Sequence, residues 1–175
     1  MRTIAIRDFG ERPFGLTEIV VTESGGGAHA LLAERLLVFR PVFDSDILQG
    51  GDVTVEVGSR ITHYEWELEE GGIPLPLYVA LIGGTVSATG TTDYYFRRDV
   101  DDVVPYNKIQ GRAISEDGGD IEVTLYRCRV TGGVEGRLEM GSFYVTSCSG
   151  IALRDTSSPY KFLEVRQKSV AAAIS

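Results

Sequence analysis

Residues 118–153 read GGDIEVTLYRCRVTGGVEGRLEMGSFYVTSCSGIAL, and their pattern decides the fold class. In the first run, Ile121, Val123 and Leu125 alternate with Asp120, Glu122 and Thr124. In the second, Phe143, Val145 and Ile151 fall on one side, and Tyr144, Thr146 and Cys148 on the other. Period-two alternation with β-branched residues predicts strands with one face in a core and one in water. The connection carries Gly132, Gly133, Gly136 and Gly141. The simplest structure is a β-hairpin whose Ile121, Val123, Leu125, Phe143 and Val145 hold the core and whose Asp120 and Glu122 face solvent.

Upstream of the hairpin, residues 17–22 predict a strand. Residues 29–39 fit helix or strand, and Pro41 tips the choice to strand because it disfavours helix at Arg40. Residues 44–52, DSDILQGGD, predict a loop. Val53, Val55 and Val57 alternate with polar residues, and Gly58 allows a bulge. Residues 60–70, RITHYEWELEE, form the most polarised run, with Tyr64, Trp66 and Leu68 opposite His63, Glu65, Glu67 and Glu69. Residues 74–82, PLPLYVALI, predict a short apolar helix between a leading Pro and Gly83–Gly84. Residues 85–104 predict a loop or interrupted strand, and residues 105–114 and 161–165 two more strands. The fold class is mainly β, a sandwich or barrel-like domain with one short flanking α-helix. Its expected boundaries are an N-terminal arm at 1–16, the β domain at 17–155 and a C-terminal arm at 156–175.

Bulk properties narrow the function. The chain has 175 residues, enough for one core, and a formal net charge of −8. That charge argues against a general phosphate binder, because nucleic-acid affinity comes largely from Lys and Arg neutralising phosphates. No run of about 18 apolar residues is present to span a bilayer, and the charged start MRTIAIRDFGERPFG lacks a signal-peptide core. Cys128 and Cys148 are expected to stay reduced, since hairpin pairing would not bring their sulfurs together.

No catalytic or cofactor constellation emerges, and no metal quartet. His29 and His63 stand apart from other ligands. The run TSCSG at 146–150 lacks a G-x-S-x-G frame, and Cys148 has no signalled base. Asp44 and Asp46 begin like a calcium loop without its later ligands. Asp99, Asp101 and Asp102 fit a solvated turn. The loop Gly83–Gly90 follows a helix and not a strand, against a phosphate loop. The cluster Tyr94–Arg98 could stack bases or form a subunit contact. Glu65, Glu67 and Glu69 make a row of like charges more suited to a repulsive surface than to paired acid–base work.

Three segments together resemble the bacteriophage tail tube proteins, the major tail proteins of long-tailed phages. These are VTVEVGSRITHYEWELEEG leading into a short helix, GG and TVSATGT; the strand and EDGGD turn before IEVTLYRCRVTG; and EMGSFYVTSCSGIALRD. The likeness spans roughly residues 51–155 and contains no catalytic motif. It implies a structural virion protein and not an enzyme. Hexameric rings would stack into a hollow tube in the virion tail, assembled in the host cytoplasm. The partners implied are further copies, a tape measure, a tail terminator and a distal tail protein. DNA would pass through the lumen without specific binding, with no membrane and no cofactor involved. Under this resemblance Glu65, Glu67, Glu69, Asp120 and Glu122 are candidate lumen-facing residues, whose charge repels phosphate. Asp44, Asp46, Gln49 and Asp52 are candidates for a ring-stacking loop. The alternatives are a tube subunit of a contractile injection or secretion machine, and a monomeric β-sandwich binding module.

Overall fold

The computed structural model describes residues 15–31, 33–50, 53–72, 74–116, 118–141, 144–157 and 161–174. Most of the expected N-terminal arm lies outside them, as do Asp52 and Phe143. The elements run β1 Glu18–Glu23, β2 Ala28–Ala30, β3 Glu34–Gly50, β4 Val53–Glu70, α1 Leu75–Ile82, β5 Thr85–Thr89, β6 Asp93–Arg97, β7 Asn107–Ile114, β8 Asp120–Arg137, β9 Val145–Ala152 and β10 Leu163–Lys168. The protein is mainly β, with one helix among the described residues and one large antiparallel sheet, consistent with a β-sandwich-like fold. Residues 34–43 are strand, as Pro41 suggested. Residues 85–97 form a separate two-stranded hairpin, β5 with β6.

The large sheet runs β2-β1-β7-β8-β9-β4-β3, with β10 also on β8. Strand β8 serves both ends of it. Its first half, Asp120 to Leu125, lies between β7 and β10. Its second half, from Cys128 onward, pairs with β9. The segment expected to be a C-terminal arm therefore supplies a strand of the main sheet.

Between these halves β8 carries one residue more than β7, since Asn107 faces Cys128 while Ile109 faces Leu125. Arg127 in that bulge has φ 48°, the only positive φ among the described non-glycine residues. A bulge lets a strand bend and pass from one packed layer to the next. A second one, Thr131 to Gly133, interrupts the pairing of β8 with β9. The ladder of this hairpin therefore continues through Gly132, Gly133 and Gly136 to its last pair, Arg137 with Val145.

The core lies where the two halves of the sheet fold over each other. Ile19, Val21, Ile109 and Leu125 come from one half, and Trp66, Leu68, Cys128, Cys148 and Ala152 from the other. Helix α1 closes the core with Leu77, Ala80 and Leu81, an i, i+3, i+4 stripe. Asn107 donates from Nδ2 to the Ala80 carbonyl at 2.6 Å, which ties the helix to β7.

Close approach marks two glycines and fixes the second. A Cβ on Gly111 would lie 2.5 Å from Leu37 Cδ2, so β3 packs directly on β7. A Cβ on Gly150 would lie 2.1 Å from the Arg129 carbonyl oxygen and 2.7 Å from the Trp66 ring. Backbone and a buried indole cannot step aside as a flexible side chain would. Gly150→Ala is expected to lower unfolding stability by roughly 1–3 kcal/mol, the usual cost of overpacking. A urea titration followed by Trp66 fluorescence measures it.

Candidate functional site

The acidic row lies where the sequence placed it, on the outer face of β4. Trp66 and Leu68 are buried, Glu65 is exposed, and Glu67 and Glu69 are half-buried. Cross-strand pairing sets Glu65, Glu67 and Glu69 beside Ile151, Ser149 and Ser147 of β9. On the other side lie Arg40, Val38 and Leu36 of β3. The row is not a bare stripe of carboxylates: Arg35 reaches Glu69 at 3.5 Å, and Arg40 reaches Glu67 at 4.0 Å. Two hollows of about 510 and 640 Å³ run along this face. Their linings carry Glu65, Glu67, Glu69, Glu135 and Glu139 against Arg35, Arg40 and Arg137, which leaves an excess of negative charge.

Asp120 and Glu122 do not share that exposure. Asp120 is 0% and Glu122 5% exposed, so the wet face expected for them is covered. Arg112 bonds Glu18 at 2.9 Å and approaches Asp120 at 3.8 Å. Lys168 of β10 pairs with Glu122 at 2.7 Å, and Gln110 donates to the same carboxylate at 3.2 Å. The chain beyond β10 crosses this face: Ala172 N donates to Asp120 Oδ2 at 2.9 Å, and Ile174 N to Glu18 Oε2 at 3.4 Å. Buried and paired within the chain, these acids stabilise the fold and do not present the wet, lumen-facing surface expected of them. Their apolar counterparts Ile121 and Val123 are only half-buried, whereas Leu125 is fully buried.

The faces of β9 are also the reverse of those expected. Thr146 and Cys148 are buried, and Val145 and Ile151 are half-buried. Thr146 bonds Tyr78 of α1 at 3.3 Å, and the Tyr78 and Tyr144 hydroxyls meet at 2.6 Å. Burial leads the effects that raise the Tyr78 pKa. Both cysteines are free thiols in the core. Burial pushes the Cys128 pKa far up, and burial with the nearby Glu70 carboxylate pushes Cys148 up to about 12. Neither is a nucleophile at neutral pH.

Residues 44–50 are not a loop but the outer part of the 17-residue strand β3. Asp44 pairs with Arg60 at 3.1 Å across a ladder that continues to Gly50 and Val53. A straight ladder cannot wrap a calcium ion as a binding loop does. Bulges fall opposite Val42–Phe43 and Leu48–Gln49, and not at Gly58. Strand β9 pairs only with Tyr64–Glu70 of β4, so the ladder from Val42 and His63 outward projects beyond the sheet. Roughly nine residue pairs make an arm on the order of 30 Å long. Its register sets Phe43 opposite Ile61, with Val57 on the same face farther out, past the Ser45–Ser59 pair, while Asp44, Asp46 and Arg60 share the other. Phe43 and Val57 are each 59% exposed. The sequence signal for this hairpin is the pair of alternating runs flanking QGGD; reading DSDILQGGD as a loop concealed it.

The remaining candidates do not converge. His29 pairs with Glu23 at 2.8 Å at the β1–β2 edge, and His63 sits against the Thr62 hydroxyl at 3.0 Å. Asp102 accepts from the Asp99 amide at 2.6 Å in a local turn. Tyr94 is exposed on β6, and Arg97 stacks on Tyr95 at 4.5 Å. Among the described residues no three His, Cys, Asp or Glu side chains form a metal-binding group, and no helix is long and apolar enough to cross a membrane. No protein-family model matches the sequence, and no curated protein matches it.

Two outcomes are expected from this geometry. Arg112→Met strands Glu18 and Asp120 without their cation, so chemical denaturation should show a loss of about 3–5 kcal/mol. Native protein at neutral pH should leave both thiols unlabelled by a thiol reagent over minutes, with full labelling on unfolding; a fast native reaction would contradict the burial of Cys128 and Cys148.

Proposed function

We propose that the chain is a structural subunit that assembles with copies of itself into a tube, as a bacteriophage tail tube protein does. The projecting β3–β4 hairpin carries the proposal. A hairpin outside its own sheet, with Phe43 and Val57 bare on one face, has too little burial to be stable alone. A neighbouring subunit supplies the missing cover. Strand β3 also has no second partner along its 17 residues in the described sheet. Such a long open edge invites pairing with another chain, and closure of a ring removes it.

The outer face with Glu65, Glu67 and Glu69 suits the lumen of such a tube. Its excess negative charge repels phosphate while Arg35 and Arg40 limit the repulsion among the acids themselves. Asp44 and Asp46, on the hairpin, serve contacts between stacked rings. In this reading the chain forms hexameric rings in the virion tail, meets the other tail proteins at the tube ends and lets DNA pass without binding it.

Sedimentation over a concentration series, with negative-stain microscopy of the same samples, tests the proposal. The wild-type chain should form rings or tubes as concentration rises. Phe43→Glu should keep its circular dichroism spectrum and lose association, since the changed side chain is already exposed in the single subunit. A wild-type chain that stays monomeric throughout, even with the other tail components present, would sink the assembly and favour a lone binding module.

A further inference from the structure

Three observations meet where β8 bends. Arg127 occupies the left-handed region at φ 48°, a conformation that strains most side chains and is tolerated best by Gly, Asn and Asp. Its guanidinium lies 4.8 Å from the centre of the Tyr106 ring, and that of Arg129 lies 5.2 Å from the same ring. Arg127 also lines a hollow of about 730 Å³ with Thr62, Leu153, Arg154 and Phe162.

Two guanidinium groups thus share one aromatic ring. Among the described residues neither Arg127 nor Arg129 is ion-paired to a carboxylate. Asp155 lines the same hollow but is turned onto Ser157, accepting from its hydroxyl at 2.6 Å and its amide at 3.1 Å. The Ser157 hydrogen bonds first, and the Arg127 charge among the lesser causes, lower the Asp155 pKa, so Asp155 offsets part of the Arg127 charge; a further anion at the cluster relieves the repulsion that remains. In a chain of net charge −8, this concentration of cations is a local departure.

We infer that Tyr106, Arg127 and Arg129, with the adjoining hollow, form a carboxylate receptor for the acidic hairpin face of a second copy, at Asp44 and Asp46. The inference rests on the assembly proposed above and names the surface that receives the hairpin. Thr62 stands at the root of the hairpin, and Asp44 and Asp46 lie farther out along it. Acids and receptor are therefore displaced along one chain. A contact between them is head-to-tail and repeats from copy to copy. The exposed Asp44–Arg60 pair within the chain contributes little, so Asp44 can change partner. Segment 41–60 holds four acids and one Arg, which complements the receptor in sign.

Charge reversal with complementation tests this. Arg127→Asp suits the left-handed backbone and inverts the receptor; Asp46→Arg inverts the hairpin. Each variant alone should self-associate about tenfold or more weakly than wild type by sedimentation. An equimolar mixture should regain near-wild-type association, because inverted hairpins meet inverted receptors and native hairpins meet native ones. Arg127→Asn should match or exceed wild-type thermal stability while association falls, which separates the contact from folding. Wild-type association in Arg127→Asp, or a mixture that behaves as the sum of its parts, overturns the receptor while the assembly stands. Binding of short single-stranded DNA by wild type but not by Arg127→Asp would assign the site to phosphate and overturn the carboxylate partner. Absence of wild-type association removes the assembly and the receptor together.

Discussion

Strand β8 has to serve two halves of one sheet, and the extra residue at Arg127 is what allows it. Before the bulge, Leu125 enters the core from an odd position; after it, Cys128 and Val130 enter from even ones. One added residue inverts which side chains face inward for the rest of a strand. Without that inversion β8 would expose Cys128 and Val130 to water, and β9 would have no matching face to pair with. The curvature that brings β9 and β4 over β1 and β7 follows from the same bend, and so does the close packing of Leu37 on Gly111. Placing an arginine at a conformation better suited to glycine carries a local cost on the order of 1 kcal/mol or more. Gly, Asn or Asp would adopt that conformation at lower cost, which makes the arginine side chain there informative.

The polar layer on the other side of β1, β7 and β8 is the second constraint. Glu18, Arg112, Asp120, Glu122 and Lys168 satisfy one another beneath β10 and the chain that follows it. Buried ion pairs contribute little net stability compared with apolar packing, but they punish a wrong arrangement severely. Their effect here is to specify register. Lys168 matches Asp120 across the β10–β8 ladder, and Arg112 matches Glu122 across β7–β8. A slip of one residue would send these charges into the apolar side. At the other end of β10, Glu164 accepts from Lys161, Arg166 and Tyr126. Lys161 first, then Arg166 and Tyr126, hold the Glu164 carboxyl at about 2, so that this cluster stays ionised well into acid.

How far the sequence was legible follows from the bulges. Strand β4 has none between His63 and Glu70, and its faces read correctly from period two alone. Helix α1 was legible because Pro74 and Gly83 punctuate a short apolar run and nothing interrupts its stripe. Strands β8 and β9 misled the same rule. Alternation in β8 assigned Asp120 and Glu122 to water because a sequence does not display the tail that covers them. In β9, Thr146 and Gly150 are small or polar yet face inward, since the Trp66 indole and the α1 tyrosine hydroxyl occupy the space. Composition alone marked residues 44–52 as loop. The strand there persists because Asp44–Arg60 and the backbone ladder tolerate polar residues on a surface with no core beneath it.

The same hairpin links the fold to the proposed assembly. A hairpin with two wet faces gains nothing from apolar residues, yet Phe43 and Val57 share one of its faces. Their partial exposure forfeits a share of the roughly 1.5–3 kcal/mol that full burial of each contributes, a share the proposed assembly would recover. The opposite face carries Asp44 and Asp46, and a strong net negative charge resists indiscriminate sticking between molecules. In the proposed assembly, apolar area would supply affinity only when docking is in register, while the acids would discriminate between a cationic surface and any other. The same division appears on the main sheet, where carboxylates dominate the face along β4 and guanidinium groups gather at the bend of β8. Were such a chain, of net charge −8, to assemble with its own copies as proposed, concentrated cations would be needed where an acidic element lands, and the bulge at Arg127 places two guanidinium groups on one ring.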